Sequence, residues 1–322
     1  MSKRVFIVGG TGLLGYHAAQ EFLAKGWSVT TLGLPPAPPA ALYPPSVAVV
    51  LKDVAKATDA ELRELLRGHE GLVFAAGLDD RHLLAKPAYD KFYQANVAAL
   101  KRLLSCAQEA GVRRAVVLGS YFVYFHRLWP ALKLAERHPY IRSRVEQEQV
   151  ATSMVGLEGM VLELPYIFGA MPVPGWKPLW APLIKYLRLA PILFYPAGGT
   201  ACISATVAGR AIVAALERGE AGRCYPVGQE NLSWREMLTR LAWAEQRQVQ
   251  VVTVPTALVT AGLLGVKLFH HLQGKEGGLN LRYMAQLQTA QTFIDPEIAC
   301  QALGIELDDL DDAFRKTVAA CQ

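Results

Sequence analysis

Six short apolar runs alternate with amphipathic stretches through the first half of the chain. Val5 to Val8 is the first, four consecutive apolar residues, the length of a strand buried on both faces. A helical pattern follows, with Leu14, Ala18, Phe22 and Leu23 on one face. The later runs predict strands over Gly26 to Leu32, Ser46 to Leu51, Gly71 to Ala76, Arg114 to Leu118 and Met160 to Leu164. Between them the pattern predicts helices over Asp59 to Leu66, Tyr89 to Ala110 and Pro139 to Ala151, with Asp59 as an N-cap. Strands and helices alternating at this spacing predict an α/β fold with a parallel sheet.

The second half is less regular. Met171 to Pro196 is rich in proline and aromatics and is expected as a loop over the C-terminal edge of the sheet, lining a substrate pocket, or else packing on itself or on another subunit. Helices are predicted over Ala208 to Leu216, Ser233 to Ala244 and Leu307 to Ala320, and strands over Arg223 to Val227 and Val249 to Val254. Ser233 and Glu236 stand at capping-box spacing. The longest apolar run, Ala257 to Phe269, carries Lys267 and is too short to span a bilayer. Its length favours a core helix over a lid or a membrane-surface contact.

The turn after the first strand adds chemistry. Gly9, Gly12 and Gly15 fall at G-x-x-G-x-x-G spacing between a strand and a helix, the opening unit of a dinucleotide-binding sheet. Gly9 permits the tight turn, Gly12 lets backbone approach a pyrophosphate, and Gly15 lets helix and strand pack closely. The phosphates are expected on the free N–H groups of the helix N-terminus. The expected fold is therefore a Rossmann-type doubly wound parallel sheet with a smaller C-terminal substrate lobe. Residues 1–169 form the dinucleotide-binding part, residues 170–322 mainly the lobe, and a segment near 200–228 returns to the sheet. At the end of the second predicted strand stand Gly33 and Leu34, where NAD sites place an acid. No Arg or Lys for a 2′-phosphate is there either, so the cofactor is NAD(P), tilted toward NADP by the missing carboxylate. Six prolines between Pro35 and Pro45 make an extended loop.

Composition narrows the class. Hydrophobic residues make up 52% of the 322, with net charge +5, and the mean hydropathy is +0.19. The basic residues are scattered, which argues against nucleic acid as a partner. Five cysteines lack C-x-x-C or Cys/His spacing, so reduced thiols in a cytoplasmic protein without a metal site are expected. No transmembrane segment is expected.

An ordered series of motifs then carries a resemblance: G-G-T-G-L-L-G at Gly9 to Gly15, Lys52-Asp53-Val54, F-A-A-G at Phe74 to Gly77 and A-N-V at Ala95 to Val97. It continues through G-S-Y-F-V-Y at Gly119 to Tyr124, P-Y-I-R-S-R-V-E-Q-E-Q at Pro139 to Gln149, and P-Y-I-F-G at Pro165 to Gly169. The chain resembles the extended short-chain dehydrogenase/reductase family, in the epimerase/dehydratase branch that also includes 3β-hydroxysteroid dehydrogenases. The match covers roughly the first 170 residues. It implies that Tyr140 is the acid/base for an alcohol–carbonyl interconversion and that Ser120 hydrogen-bonds the reacting oxygen. It implies Gly9, Thr11, Gly12, Leu13, Leu14, Gly15, Asp53, Val54, Ala75, Ala76, Gly77, Tyr140, Arg144, Pro165 and Ile167 as the cofactor contacts. Asp53 would reach the adenine amine, though a turn residue needs no ligand.

The family places a lysine where this chain has Arg144, one helical turn after the tyrosine. A fixed positive charge still favours tyrosinate, but guanidinium releases no proton near neutral pH. Two outcomes stay open: a working Tyr140, or a nucleotide-binding sensor with little turnover. Sugar-nucleotide members usually carry an arginine near the strand before P-Y-x-x-G and an acid before the next helix. Here Glu163 and Ala205-Thr206-Val207 stand there. The expected substrate is a small, fairly hydrophobic alcohol or ketone, with a nucleotide-sugar epimerase or dehydratase as the alternative. By the same resemblance, helices 89–110 and 139–151 pair with their copies in a homodimer. His126 and His138 are expected as solvated loop residues. Ser120 and Tyr140 also have plain structural readings, a strand-end cap and a buried aromatic.

Overall fold

The computed structural model describes residues 3–322. Seven parallel strands form the central sheet, in the spatial order Cys224–Pro226, Glu158–Leu164, Arg114–Ser120, Gly71–Phe74, Arg4–Val8, Ser28–Gly33, Ala48–Leu51. The first strand shows why it is buried throughout. Val5 and Ile7 pack into the core on one face of the sheet; Phe6 and Val8 pack into the core on the other. Helices cover both faces, so neither side of the pleat meets water.

On one face the Leu13–Ala24 helix lies against the Ala205–Arg218 helix. A Cβ on Gly209 would come within 2.9 Å of the His17 backbone, so glycine there sets how close the two axes run. The other face is covered by the Asp59–Leu66, Ala99–Glu109 and Pro139–Thr152 helices. The strand order reverses between Arg4–Val8 and Gly71–Phe74. That switch point opens a crevice at the C-terminal edge of the sheet, where ligands of open α/β sheets bind.

The second half adds smaller sheets. Gly199–Ser204 pairs with Glu230–Ser233, Gln291–Thr292 and Tyr166–Phe168. Ile192–Pro196 pairs in parallel with Gln250–Val254, and Leu83–Ala85 pairs antiparallel with Lys275–Gly277.

Several expectations need correction. Met171 to Pro196 is not a plain loop: it contains the Ala181–Leu189 helix and the Ile192–Pro196 strand. Ile184, Leu187 and Leu193 turn inward to a core shared with Trp234, Leu238 and Phe314, because that is where the lobe has apolar surface to bury. The N-cap of the Asp59–Leu66 helix is Thr58, whose hydroxyl and the Glu61 carboxylate close a capping box. The long helical stretch beginning at Ala88 is interrupted by a π-helical turn, Tyr93–Ala98. The largest departure is the Thr256–Leu272 helix. It is no core helix, since none of its residues is buried. Among the described residues no helix is long and apolar enough to cross a membrane.

Candidate active site

The glycine turn is built as its spacing implies. Gly9 has φ +85°, and a Cβ there would stand 2.6 Å from the Ala75 carbonyl oxygen. A Cβ on Gly15 would stand 2.2 Å from the Gly9 oxygen, so the first helix can begin this close to the strand only with glycine. Gly12 differs: a Cβ there meets only the Gly9 oxygen, at 3.4 Å. The backbone at Gly12 therefore faces open space, at the N-cap of a helix with no side-chain cap and no acid in its first turn. Donors left free, a positive helix end and room above a glycine fit a pyrophosphate. The Thr11 side chain lies against Gly33, and Leu13 and Leu14 pack partly into the core below.

Tyr43, from the proline loop, donates its hydroxyl to the Gly10 carbonyl and packs beside Tyr16. Burial pushes its phenol well above the ordinary range, so it is a neutral donor. The sequence offered no signal for it, because the loop carries no periodicity. Ala75 and Ala76 lie half-buried at the end of the fourth strand, and Gly77 is exposed with φ +135°. Asp53 closes a turn, its Oδ1 accepting the Ala55 amide at 2.9 Å. Ile167 lies in a strand paired with Gly199–Ser204, and its carbonyl accepts the Trp180 indole N–H at 2.6 Å.

The chemistry-bearing residues converge from three elements. Arg144, on the Pro139–Thr152 helix, is buried. One guanidinium nitrogen donates to the Leu118 carbonyl at 3.2 Å and to Gln147 Oε1 at 2.8 Å. The other donates to the Leu78 carbonyl at 3.3 Å, while Nε has no partner. Arg144 thus ties the helix to the strand leading to Ser120 and to the loop after Gly77. Its guanidinium carbon lies 5.1 Å from the centre of the Tyr140 ring.

Asn96, from the π-helical turn, is fully buried and braces the same loop. Its Oδ1 accepts the Leu78 amide at 2.8 Å, and its Nδ2 donates to the Leu78 carbonyl and to Ser143 Oγ. The extra residue of the π turn re-aims a side chain within an otherwise regular helix. Ser120 ends its strand, and its Oγ accepts the Phe122 amide at 3.4 Å, capping the Tyr121–Leu128 helix. Its hydroxyl hydrogen remains free to donate. Ser120 and Tyr140 make no hydrogen bond to one another.

Tyr140 is buried among apolar side chains, with Phe92 edge-on at 5.8 Å. Its cover was not legible in the sequence. The Gly278 carbonyl accepts the Tyr140 amide at 3.0 Å, and Nδ1 of His138 accepts the Asn280 amide at 3.0 Å. The strap from Gly278 to Asn280 is thus latched to the start of the catalytic-candidate helix. His138 is buried rather than solvated, and burial with the nearby Arg137 pushes it down to about 4. Asp80 was also missed. A Cβ on Gly278 would touch both the Asp80 Cα and the Tyr140 Cβ at 2.9 Å, and Asp80 is within electrostatic reach of Arg81, Arg144, Tyr121 and Tyr166. Desolvation raises its carboxyl above the ordinary value.

Tyr121, Phe122 and Phe125 are core rather than pocket wall. Glu163 is buried and pairs at 2.7 Å with Arg127, whose side chain reaches the surface. Burial and the neighbouring Glu148 carboxylate push Glu163 up to about 8. A shallow groove of about 580 Å³ runs between the Ala99–Glu109 and Pro139–Thr152 helices, lined by Tyr93, Lys101, Gln149 and Met154; it does not reach Tyr140.

Residues 5–176 match the profile of the NAD dependent epimerase/dehydratase family. This chain belongs to that family. It is an NAD-dependent enzyme of the epimerase/dehydratase type, and the cradle around Gly12 fits the family's NAD(P). Among curated proteins it is 23% identical over 339 residues to one from Synechocystis sp. named "Putative dihydroflavonol 4-reductase", covering 99% of this chain and 94% of that one. Among solved structures, a nucleoside-diphosphate-sugar epimerase from Pseudomonas aeruginosa superposes with TM-score 0.72 at 20% identity, covering 99% and 97% of the two chains. MoeE5, solved with UDP-glucose and NAD, superposes with TM-score 0.67 at 17% identity, covering 98% of each. These likenesses share the fold.

Proposed function

We infer that this family member is an NAD(P)-dependent oxidoreductase interconverting an alcohol and a carbonyl on a small, fairly apolar molecule. The observation that carries the reading is Tyr140, buried against Phe92 and under Gly278, with the Arg144 guanidinium over its ring. A phenol held beside a fixed cation is suited to proton transfer.

The turn from Gly9 to Gly15 holds the pyrophosphate on helix N–H groups. Asp53, Val54, Ala75, Ala76 and Gly77 line the crevice for the adenosine and ribose, and Pro165 and Ile167 border its far side. Bound there, the nicotinamide supplies or accepts hydride. Tyr140 gives a proton to the substrate's carbonyl oxygen, or takes one from its hydroxyl. Ser120 donates its hydroxyl hydrogen to the same oxygen and steadies the charge that develops on it. Arg144 holds positive charge beside the phenol and keeps the Leu78 and Leu118 backbones in place.

The preference for an apolar substrate rests on the apolar side chains packed around Tyr140, among them Phe92, Leu78, Leu84 and Leu279, and agrees with the reductase name of the Synechocystis relative. NADP is preferred over NAD because no carboxylate stands after the second strand; competition titration with both nucleotides tests this. The family-level alternative, epimerisation or dehydration of a nucleotide sugar, would use the same centre. Turnover of a panel of apolar ketones and of UDP- and dTDP-sugars, with wild type and Tyr140→Phe, decides between them. The expected result is ketone reduction that falls about 10²- to 10⁴-fold in the variant with nucleotide binding intact. Wild-type turnover by Tyr140→Phe would remove Tyr140 from the mechanism.

A further inference from the structure

The Thr256–Leu272 helix is inverted for a surface helix. From Ala257 to Leu272, every exposed residue except His271 is apolar. Leu258, Leu268, Phe269 and Leu272 are 64%, 60%, 59% and 77% exposed. At 100° per residue, Leu258, Gly262, Gly265, Phe269 and Leu272 fall on one outward arc, with Val266 and Leu268 on its flanks. The polar groups turn the other way. Lys267 donates to Asn280 Oδ1 at 3.0 Å and His271 meets Lys86 at 2.5 Å. Water-facing helices show the opposite arrangement. An exposed apolar face this long marks a surface that something covers.

Charge selects the occupant. No Asp or Glu occurs from Gln246 to Lys275, and Lys275 stands exposed just past the end of the helix. The next carboxylate, Glu276, is used in accepting the Ala88 amide. Lys86 joins the same rim. A second copy docking through this face would set one basic helix end against another, and the helix itself carries no carboxylate to offset it. An anionic lipid surface offers both the apolar layer and the negative charge.

We propose that the outward face of the Thr256–Leu272 helix docks on an anionic phospholipid bilayer, lying in the interface rather than crossing it. The position of the helix gives the docking a purpose. Its C-terminal end leads through Lys275–Gly277 into the strap whose Gly278 covers Tyr140. Docking places the mouth of the site at the acyl boundary, so the substrate class is a lipophilic alcohol or ketone dissolved in the bilayer. This second step rests on the Tyr140 reading; the docking itself does not.

The test is flotation of the full chain with phosphatidylcholine vesicles containing phosphatidylserine, and with phosphatidylcholine alone. Wild type is expected to float with the anionic vesicles and to lose much of that binding when salt rises from about 0.1 M to about 1 M. Leu258→Glu/Phe269→Glu is expected to lower binding on the order of tenfold or more with melting temperature unchanged. Vesicle-dependent amide protection across residues 258–272 of the wild type gives the same answer without a variant. Tyr140→Phe should float like wild type, so its loss of turnover and any loss of docking are read separately. No flotation of wild type, flotation undiminished in the double variant, or a dimer in sedimentation that the double variant splits, each overturns the proposal.

Discussion

Gly278 and Tyr140 are locked together: the Gly278 carbonyl accepts the Tyr140 amide at 3.0 Å, and a Cβ on Gly278 would stand 2.9 Å from that of Tyr140. The same Cβ would also press on the Phe92 ring and the Asp80 backbone. Gly278→Val should therefore cost about 1–3 kcal/mol and lift the strap. Thermal melting together with amide exchange at residues 277–281 reads both effects. Calorimetric titration with NAD(P)H should show nucleotide affinity preserved, since the glycine turn lies on another loop.

The strap's second latch depends on pH. Nδ1 of His138 accepts the Asn280 amide only while the ring is neutral. Burial, then Arg137, lowers His138 from 6.5 to about 4. Between those values the unfolded chain binds a proton that the native chain resists, so stability falls as pH drops through that window. His138→Gln should flatten the slope in denaturation midpoints measured across it.

Glu163 has the opposite sign. Burial and Glu148 raise it from 4.5 to about 8, against the pull of Arg127. Between these values the native chain holds a proton that the unfolded chain releases. Stability should then decline as pH rises through that window. Glu163→Gln should remove the decline. An unchanged slope in the variant would show that Glu163 ionises normally.

Arg144 can be separated into charge and fork. Lys at this position keeps a cation beside Tyr140 but cannot reach Leu78, Leu118 and Gln147 together. Arg144→Lys should lower stability by about 1–3 kcal/mol through the lost bonds to Leu118 and Gln147, while the Leu78 carbonyl keeps its Asn96 donor. Turnover should stay within about tenfold of wild type if the charge is what the site needs. Arg144→Met should lose both. Urea denaturation and steady-state rates for the pair distinguish the two contributions.

Gly15→Ala tests the cradle. The new methyl would meet the Gly9 oxygen at 2.2 Å, so the helix must move off the strand. Nucleotide binding should fall below detection by calorimetry, with a lower melting temperature. Gly12→Ala, which has room on its protein side, should weaken binding with little change in melting.

Local patterning determined the sheet. The alternation of Val5 and Ile7 with Phe6 and Val8, the glycine spacing, and the Ser233–Glu236 capping box are legible because each depends on neighbours within one turn or one strand. Tyr140, Ser120 and Arg144 were named by resemblance to a known family, through short motifs, and not by patterning. What covers Tyr140 was decided only when the chain folded. Gly278, His138 and Asp80 are about 60 to 200 positions apart in sequence, and no periodicity relates them. The Thr256–Leu272 helix makes the point most plainly. Its apolar sequence predicts burial, and hydrophobicity reads the same whether a face meets a core or a bilayer. Only the packing of its neighbours, which left that face outward, decides which.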